Sequence, residues 1–141
     1  MARTLIFLMM TFVTILPYYS VLAYCFYNKM SDATEVSIVQ VEGQLKTTLI
    51  SSISFEHFNM PPGSKECCPY TDNECSREKK QDSTCKFLLS YRKGPNKPDT
   101  KKQAGRAVIG SCGGYITATG TYDSFSYQVY DENNKQIASG P

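Results

Sequence analysis

The 141-residue chain contains a single histidine, and this limits the acid–base chemistry that it could support. His57 follows Glu56, and a general acid–base pair needs two titratable groups that face one substrate. In a strand, successive side chains point to opposite faces, so these two neighbours would be separated. The sequence therefore predicts that His57 is a loop residue and that the chain has no catalytic site. The alternative is a small ribonuclease-like hydrolase that uses Glu56, His57 and a loop arginine.

Motifs for nucleophilic catalysis, nucleotide binding and metal binding do not occur in the sequence. It contains no G-x-S-x-G, no G-x-x-x-x-G-K-[ST] and no G-x-G-x-x-G. Zinc sites usually contain closely spaced cysteine pairs, and no C-x-x-C is present. The polar clusters at 72–74 and 131–134 depart from the calcium-loop pattern and are explained by turn formation. We expect no metal and no cofactor.

Six cysteines predict three disulfide bonds. Adjacent cysteines rarely bridge each other, so Cys67 and Cys68 should bond to two different partners. The short spacing of Cys68 and Cys75 around a turn favours a local bridge. The predicted scheme is Cys68–Cys75, Cys67–Cys112 and Cys25–Cys85, and an exchange of Cys67 and Cys68 is the nearest alternative.

Basic residues concentrate in one part of the chain. Residues 77–106 contain ten basic and three acidic residues, so their net charge is +7. Such a concentration can attract an anionic partner, although it is also compatible with a solvated loop that binds nothing. Residues 92–105 contain no apolar side chain larger than proline, which predicts an exposed and mobile loop. The candidate residues for binding an anionic partner are Arg92, Lys93, Lys97, Lys101 and Lys102.

The N-terminus has the pattern of a secretory signal peptide. Residues 5–16 form an uninterrupted apolar segment, Pro17 ends it, and Val21-Leu22-Ala23 suits a signal peptidase. We expect a signal peptide over residues 1–23, a domain over residues 24–141, and a secreted, extracellular protein. The alternative is an uncleaved membrane anchor, because residues 4–28 contain no charge.

Alternation of apolar and polar residues predicts β-strands along most of the remaining chain. In the run at 85–91, Cys85, Phe87, Leu89 and Tyr91 share one face, and residues 115–119 also alternate between two faces. Residues 45–55 fit a strand better than a helix because Thr and Ser are poor helix formers. Pro61-Pro62-Gly63 should end a strand, and Gly113-Gly114 should close a hairpin. The pattern predicts a single antiparallel β-sandwich of about eight short strands, reinforced by disulfides.

Short motifs resemble one group of known proteins. The stretch PGSKECCPY at 62–70, DNEC at 72–75 and SCGG at 111–114 resemble those of uncharacterised small secreted cysteine-rich proteins of fungi. The segment FYNKMSD at 26–32 is also similar to theirs. The resemblance implies an extracellular, effector-like role and supplies no catalytic residues.

These observations favour a non-enzymatic binding module that acts through its loops. The expected partner is an extracellular protein or a cell-wall glycan, with no nucleic acid and no stable membrane anchor, and the expected state is a monomer. A third hypothesis is a carbohydrate-binding or membrane-active toxin. It would use exposed tyrosines, because aromatic rings can stack on sugars.

Cleavage of the signal peptide gives the first testable prediction. Signal peptidase should cut after Ala23, so that the secreted protein begins at Tyr24. Intact-mass measurement of protein collected from the medium should give the mass of residues 24–141. Secreted protein that retains residues 1–23 would contradict this boundary.

Overall fold

The computed structural model describes residues 23–42, 55–95 and 105–141, which form two β-sheets. The strands are β1 (Ala23–Met30), β2 (Thr34–Glu42), β3 (Glu56–Met60), β4 (Lys65–Pro69), β5 (Thr84–Lys93), β6 (Arg106–Ser111), β7 (Tyr115–Gly120), β8 (Phe125–Tyr130) and β9 (Gln136–Gly140). These ranges contain no helix, and hence no helix able to cross a membrane. The predicted all-β sandwich is confirmed, with nine strands in the described chain.

One sheet has five strands in the order β4-β1-β7-β8-β9, and the other has four in the order β3-β2-β5-β6. Every pairing is antiparallel except that of β1 with β7, which is parallel. The sequence-based expectation of a purely antiparallel sandwich is wrong at this pair. Parallel neighbours need a long crossover connection, and here the whole four-stranded sheet lies between β1 and β7 along the chain.

The predicted hairpin around Gly113-Gly114 does not form, because β6 and β7 belong to different sheets. The two glycines instead allow close packing where the chain crosses between the sheets. A Cβ atom on Gly113 would lie 2.7 Å from the Cβ of Gln81, and one on Gly114 would collide with the carbonyl oxygen of Tyr130. Glycine is required here for space and not for an unusual backbone angle.

Residues 56–83 contain the short strands β3 and β4, which the alternation pattern does not predict. Pro61-Pro62-Gly63 ends β3 as expected, since β3 stops at Met60 and proline cannot donate to a ladder. Gly63 has a φ of 84°, a conformation that favours glycine, and it forms the turn into β4. Short polar strands of this kind have too little apolar alternation to be recognised in the sequence.

The core lies between the two sheets and is rich in aromatic rings. The predicted face of β5 is confirmed, since Cys85, Phe87, Leu89 and Tyr91 are all buried. Tyr24 stacks on Phe87 across the interface at a centroid distance of 4.0 Å, and Tyr91 stacks on Phe125 at 4.1 Å. Offset stacking of this kind adds about 1 kcal/mol per pair beyond the burial of apolar area.

All six cysteines form disulfides, but two of the predicted pairings are wrong. The bonds are Cys25–Cys67, Cys68–Cys75 and Cys85–Cys112. Cys25 lies on the outer side of the five-stranded sheet, whereas Cys85 points into the core, so the two side chains face in different directions. Directly opposite Cys25 is Cys67 of β4, with the Cα atoms 4.1 Å apart.

The confirmed local bridge, Cys68–Cys75, attaches the segment after β4 to that strand. A second contact attaches the same segment to the other sheet. The buried side chain of Gln40 on β2 donates a hydrogen bond of 2.8 Å to the carbonyl oxygen of Cys75. The segment between β4 and β5 is therefore fixed to both sheets despite its polar composition.

The buried side chain of Asn28 connects the two sheets near the C-terminal end of β1. Its amide nitrogen donates to the carbonyl oxygens of Thr34 at 3.2 Å and Met60 at 2.8 Å, both in the four-stranded sheet. Its amide oxygen accepts a hydrogen bond of 3.1 Å from the backbone N–H of Met30. Both amide hydrogens are thus used, as a fully buried amide requires.

Three sequence predictions fall largely outside the described residues. They are the signal peptide, most of the strand over residues 45–55, and most of the loop over residues 92–105. Phe55 is described and is buried, and β5 extends to Lys93 at the start of that loop.

Replacing Asn28 with alanine tests the connection between the sheets. The change leaves two carbonyl oxygens and one N–H without their partner in the interior, so we expect a loss of about 3 kcal/mol in the free energy of unfolding. Urea denaturation measures this value. Asn73→Ala, at an exposed turn position, is the control and should cost less than about 0.5 kcal/mol. A loss below about 1 kcal/mol for Asn28→Ala would contradict the role of this amide.

Candidate functional site

One end of the sandwich contains a cleft with a volume of about 400 Å³. It lies between the turn that joins β1 to β2, the end of β5 and the turn that joins β7 to β8. We call this region the loop end. The lining residues are Asp32, Ala33, Thr34, Lys93, Gly94, Pro95, Tyr122 and Asp123. A cleft of this volume is within the range of small-ligand sites in proteins.

Hydrogen bonds between the turns hold the loop end in shape. The Asp32 carboxylate accepts from the backbone N–H of Thr34 at 3.1 Å and from that of Tyr122 at 3.0 Å. The backbone N–H and the hydroxyl of Ser31 both donate to the carbonyl oxygen of Gly120, each at 2.8 Å. These contacts join turns that are about 90 residues apart in sequence. The cleft is therefore preformed and does not depend on the ligand for its shape.

The same hydrogen bonds affect the pKa of Asp32. Partial burial by itself would raise the pKa of this carboxyl group, but hydrogen bonds from Thr34 and from the backbone N–H of Tyr122 outweigh it. The net effect is a pKa below the ordinary value of 3.8. Asp32 is thus ionised at neutral pH and acts as a hydrogen-bond acceptor on the wall of the cleft.

A lysine and an aromatic ring form the opposite part of the cleft. The ammonium of Lys93 lies 4.7 Å from the ring centroid of Tyr122 and 4.0 Å from the carboxylate of Asp123. Gly94 follows, and a Cβ at that position would lie only 2.6 Å from the carbonyl oxygen of Ala33. The close approach of these two backbones forms the part of the cleft where β5 ends.

The predicted anion-binding residues are only partly brought together. Arg92 forms an ion pair with Glu35. Its Nε and one terminal nitrogen are each 2.7 Å from the same carboxylate oxygen. Lys93 is close to Asp123, as described above. The other three predicted cations, Lys97, Lys101 and Lys102, lie outside the described residues. In the described part, each predicted cation thus has a carboxylate beside it.

His57 is not the loop residue that the sequence predicts, because it lies in β3 opposite Ile38 of β2. Its ring is 4.7 Å from that of Phe55, and its Nδ1 atom is 3.8 Å from the carboxylate of Glu66 on β4. The acidic neighbour of His57 in space is therefore Glu66, and both side chains are substantially exposed.

Five of the tyrosines form two groups, one in the core and one on the outer side of the five-stranded sheet. Tyr24 and Tyr91 are buried in the core, where they pack as ordinary strand residues. Tyr27, Tyr115 and Tyr130 are half-buried on the outer side of the five-stranded sheet. Tyr115 is in edge contact with Tyr27 at 5.7 Å and stacks on Tyr130 at 4.4 Å. Burial and the two neighbouring phenols raise the pKa of Tyr115.

The acidic turn segments form the turns that the sequence predicts. Asp72 accepts from the backbone N–H of Glu74, and Asp131 accepts from those of Asn133 and Lys135. Within the described ranges, no group of three or more His, Cys, Asp or Glu residues could hold a metal ion.

The chain matches no family model, no curated protein and no solved structure. The cleft residues Asp32, Tyr122 and Asp123 are missed by the sequence reasoning. The signal for them was limited to their position in two polar turns, and only the fold brings those turns together.

The protonation of Asp32 predicts how the loop end responds to pH. Because its pKa is lowered in the folded protein, its stabilising effect is present above the ordinary carboxyl pKa and is lost as pH falls through the folded value. Asp32→Asn should lower the free energy of unfolding by about 0.5–1 kcal/mol at neutral pH, since the side chain is largely solvated. The deficit should shrink below about pH 4.

Urea denaturation of both proteins across this pH range measures the effect. Asp82→Asn is the control, because Asp82 is exposed and lies at the other end of β5. A deficit for Asp32→Asn that is the same at acidic and neutral pH would show that the charge of Asp32 is not involved.

Proposed function

We propose that the protein is a secreted, non-enzymatic binding module that recognises an extracellular protein or a cell-wall glycan through its loop end. The observation that supports this most strongly is the cleft between two hydrogen-bonded turns and the end of β5. Binding residues often lie on loops that a rigid sandwich holds in place. Three disulfides are consistent with an extracellular location. The resemblance to small fungal secreted proteins fits an effector-like role within the same proposal.

The side chains of the cleft favour a neutral, hydroxyl-bearing group over an anion. Two carboxylates, Asp32 and Asp123, face one ammonium, Lys93. A glycan hydroxyl or a backbone amide of a partner protein can donate to the carboxylates and can accept from Lys93. Among the described residues that line the cleft, an anionic group would meet two carboxylates and one ammonium. We therefore place the neutral ligand at the loop end and assign no catalytic residue to the cleft.

Variants of the cleft test this proposal. The refolded protein should bind a subset of neutral glycans on an array, or a protein from the extracellular fluid of its natural setting. Asp123→Ala should weaken this binding by about tenfold, because it removes a hydrogen-bond acceptor from the cleft. The Asp123 side chain is 84% exposed, so the change should leave stability unchanged. Asp82→Ala is the matched control, since it removes an exposed carboxylate at the far end of β5.

Two outcomes would contradict the proposal. Equal losses for the Asp123 and Asp82 variants would show that the cleft does not contact the partner. Hydrolysis of RNA by the purified protein that falls at least about 100-fold in His57→Ala would instead support the hydrolase alternative, with Glu66 in the place of Glu56.

A further inference from the structure

The outer side of the five-stranded sheet has a composition that is unusual for a solvated face. Side chains alternate along strands β4, β1, β7 and β8, and the structure describes all four strands completely. None of their outward positions carries a carboxylate. We call this surface the outer tyrosine face, and its residues are Lys65, Cys67, Pro69, Cys25, Tyr27, Lys29, Tyr115, Thr117, Thr119, Ser126, Gln128 and Tyr130.

Two lysines of the outer tyrosine face lie over one aromatic ring. The ammonium of Lys29 is 5.6 Å from the ring centroid of Tyr27, and that of Lys65 is 5.2 Å from the same centroid. Among the described residues, neither ammonium has a carboxylate within 4.0 Å. Arg92 and Lys93, by contrast, each have one. Two ammonium groups that both contact one ring and have no carboxylate beside them create a positive potential that attracts an anion.

The tyrosines of this face contact one another and neighbouring groups. Tyr115 and Tyr130 stack on each other with an interplanar angle of 11°. The ring of Tyr27 has the two ammonium groups above it and contacts Tyr115 edge to face. These contacts reduce the area of ring face that could stack on nucleobases.

From these observations we propose that the outer tyrosine face binds an anionic polysaccharide. Lys29 and Lys65 attract the carboxylate or sulfate groups of the chain, and the sugar hydroxyls exchange hydrogen bonds with Tyr27, Thr119 and Gln128. Adjacent strands are spaced by about 4.8 Å, so the four strands offer a flat track about 14 Å wide for an extended chain. The outward residues of these strands include no large aliphatic side chain that could enter a lipid bilayer, which favours a polysaccharide over a membrane.

This proposal is independent of the proposed function of the loop end. The described residues that line the cleft include two carboxylates and one ammonium, whereas the outer tyrosine face presents only positive charge along its four strands. The two sites therefore select ligands of different chemistry. A variant of one site should not alter binding at the other.

Affinity electrophoresis with polygalacturonate in the gel tests the proposal, with dextran as the neutral control polymer. The wild-type protein should be retarded by polygalacturonate and not by dextran. The double variant Lys29→Glu/Lys65→Glu should bind at least about tenfold more weakly. The matched control, Arg77→Glu/Lys80→Glu, changes the net charge equally at exposed loop positions and should bind as the wild type does. Binding should weaken between about 0.05 M and about 0.2 M salt.

Circular dichroism and urea denaturation establish that both double variants are folded, which is expected because all four residues are exposed. Asp123→Ala should bind polygalacturonate normally, which separates this site from the loop end. Equal losses of affinity in the two double variants would overturn the proposal, because they would show that binding depends only on net charge. Absence of retardation would also overturn it. So would tighter, Lys29- and Lys65-dependent binding to phosphatidylserine vesicles or to single-stranded RNA.

Discussion

The buried amide of Asn28 is the interaction on which the arrangement of the two sheets depends. A fully buried amide must find partners for both of its hydrogens, and here both partners are carbonyl oxygens of the opposite sheet. One belongs to Thr34 at the start of β2, and the other belongs to Met60 at the end of β3. The amide thus fixes where two strands of the four-stranded sheet lie relative to β1. Aromatic packing in the core adds stability, but it restricts the relative position of the two sheets less than the Asn28 amide does.

Strand β1 contributes to the core and to both candidate binding surfaces. Its inward residues enter the core, and its outward residues Tyr27 and Lys29 form the middle of the outer tyrosine face. The chain leaves this strand through Ser31 and Asp32, which hold the loop end together. Strain or disorder in β1 would therefore affect the fold and both surfaces at once. This strand is paired on both sides and is also crosslinked by a disulfide.

The parts of the fold that follow from local alternation could be predicted from the sequence. The buried face of β5 and the turn at Pro61-Pro62-Gly63 are examples, because each depends only on neighbouring residues. The partners of Cys25 and the role of Gly113 could not be predicted, since they depend on which distant strands become neighbours. Alternation along a strand defines its two sides, but it does not identify β4 as the strand beside Cys25. The cleft was missed for the same reason.

Native-state hydrogen exchange tests most directly whether β1 makes the two sheets one cooperative unit. The account predicts that the backbone N–H groups of β1 and β2 exchange with the same free energy, equal to that of global unfolding. In Asn28→Ala the exchange free energies of the two sheets should differ. The N–H groups of β1 should exchange at a lower free energy than those of β2. A wild-type protein in which the five-stranded sheet already opens while the four-stranded sheet stays protected would contradict the account.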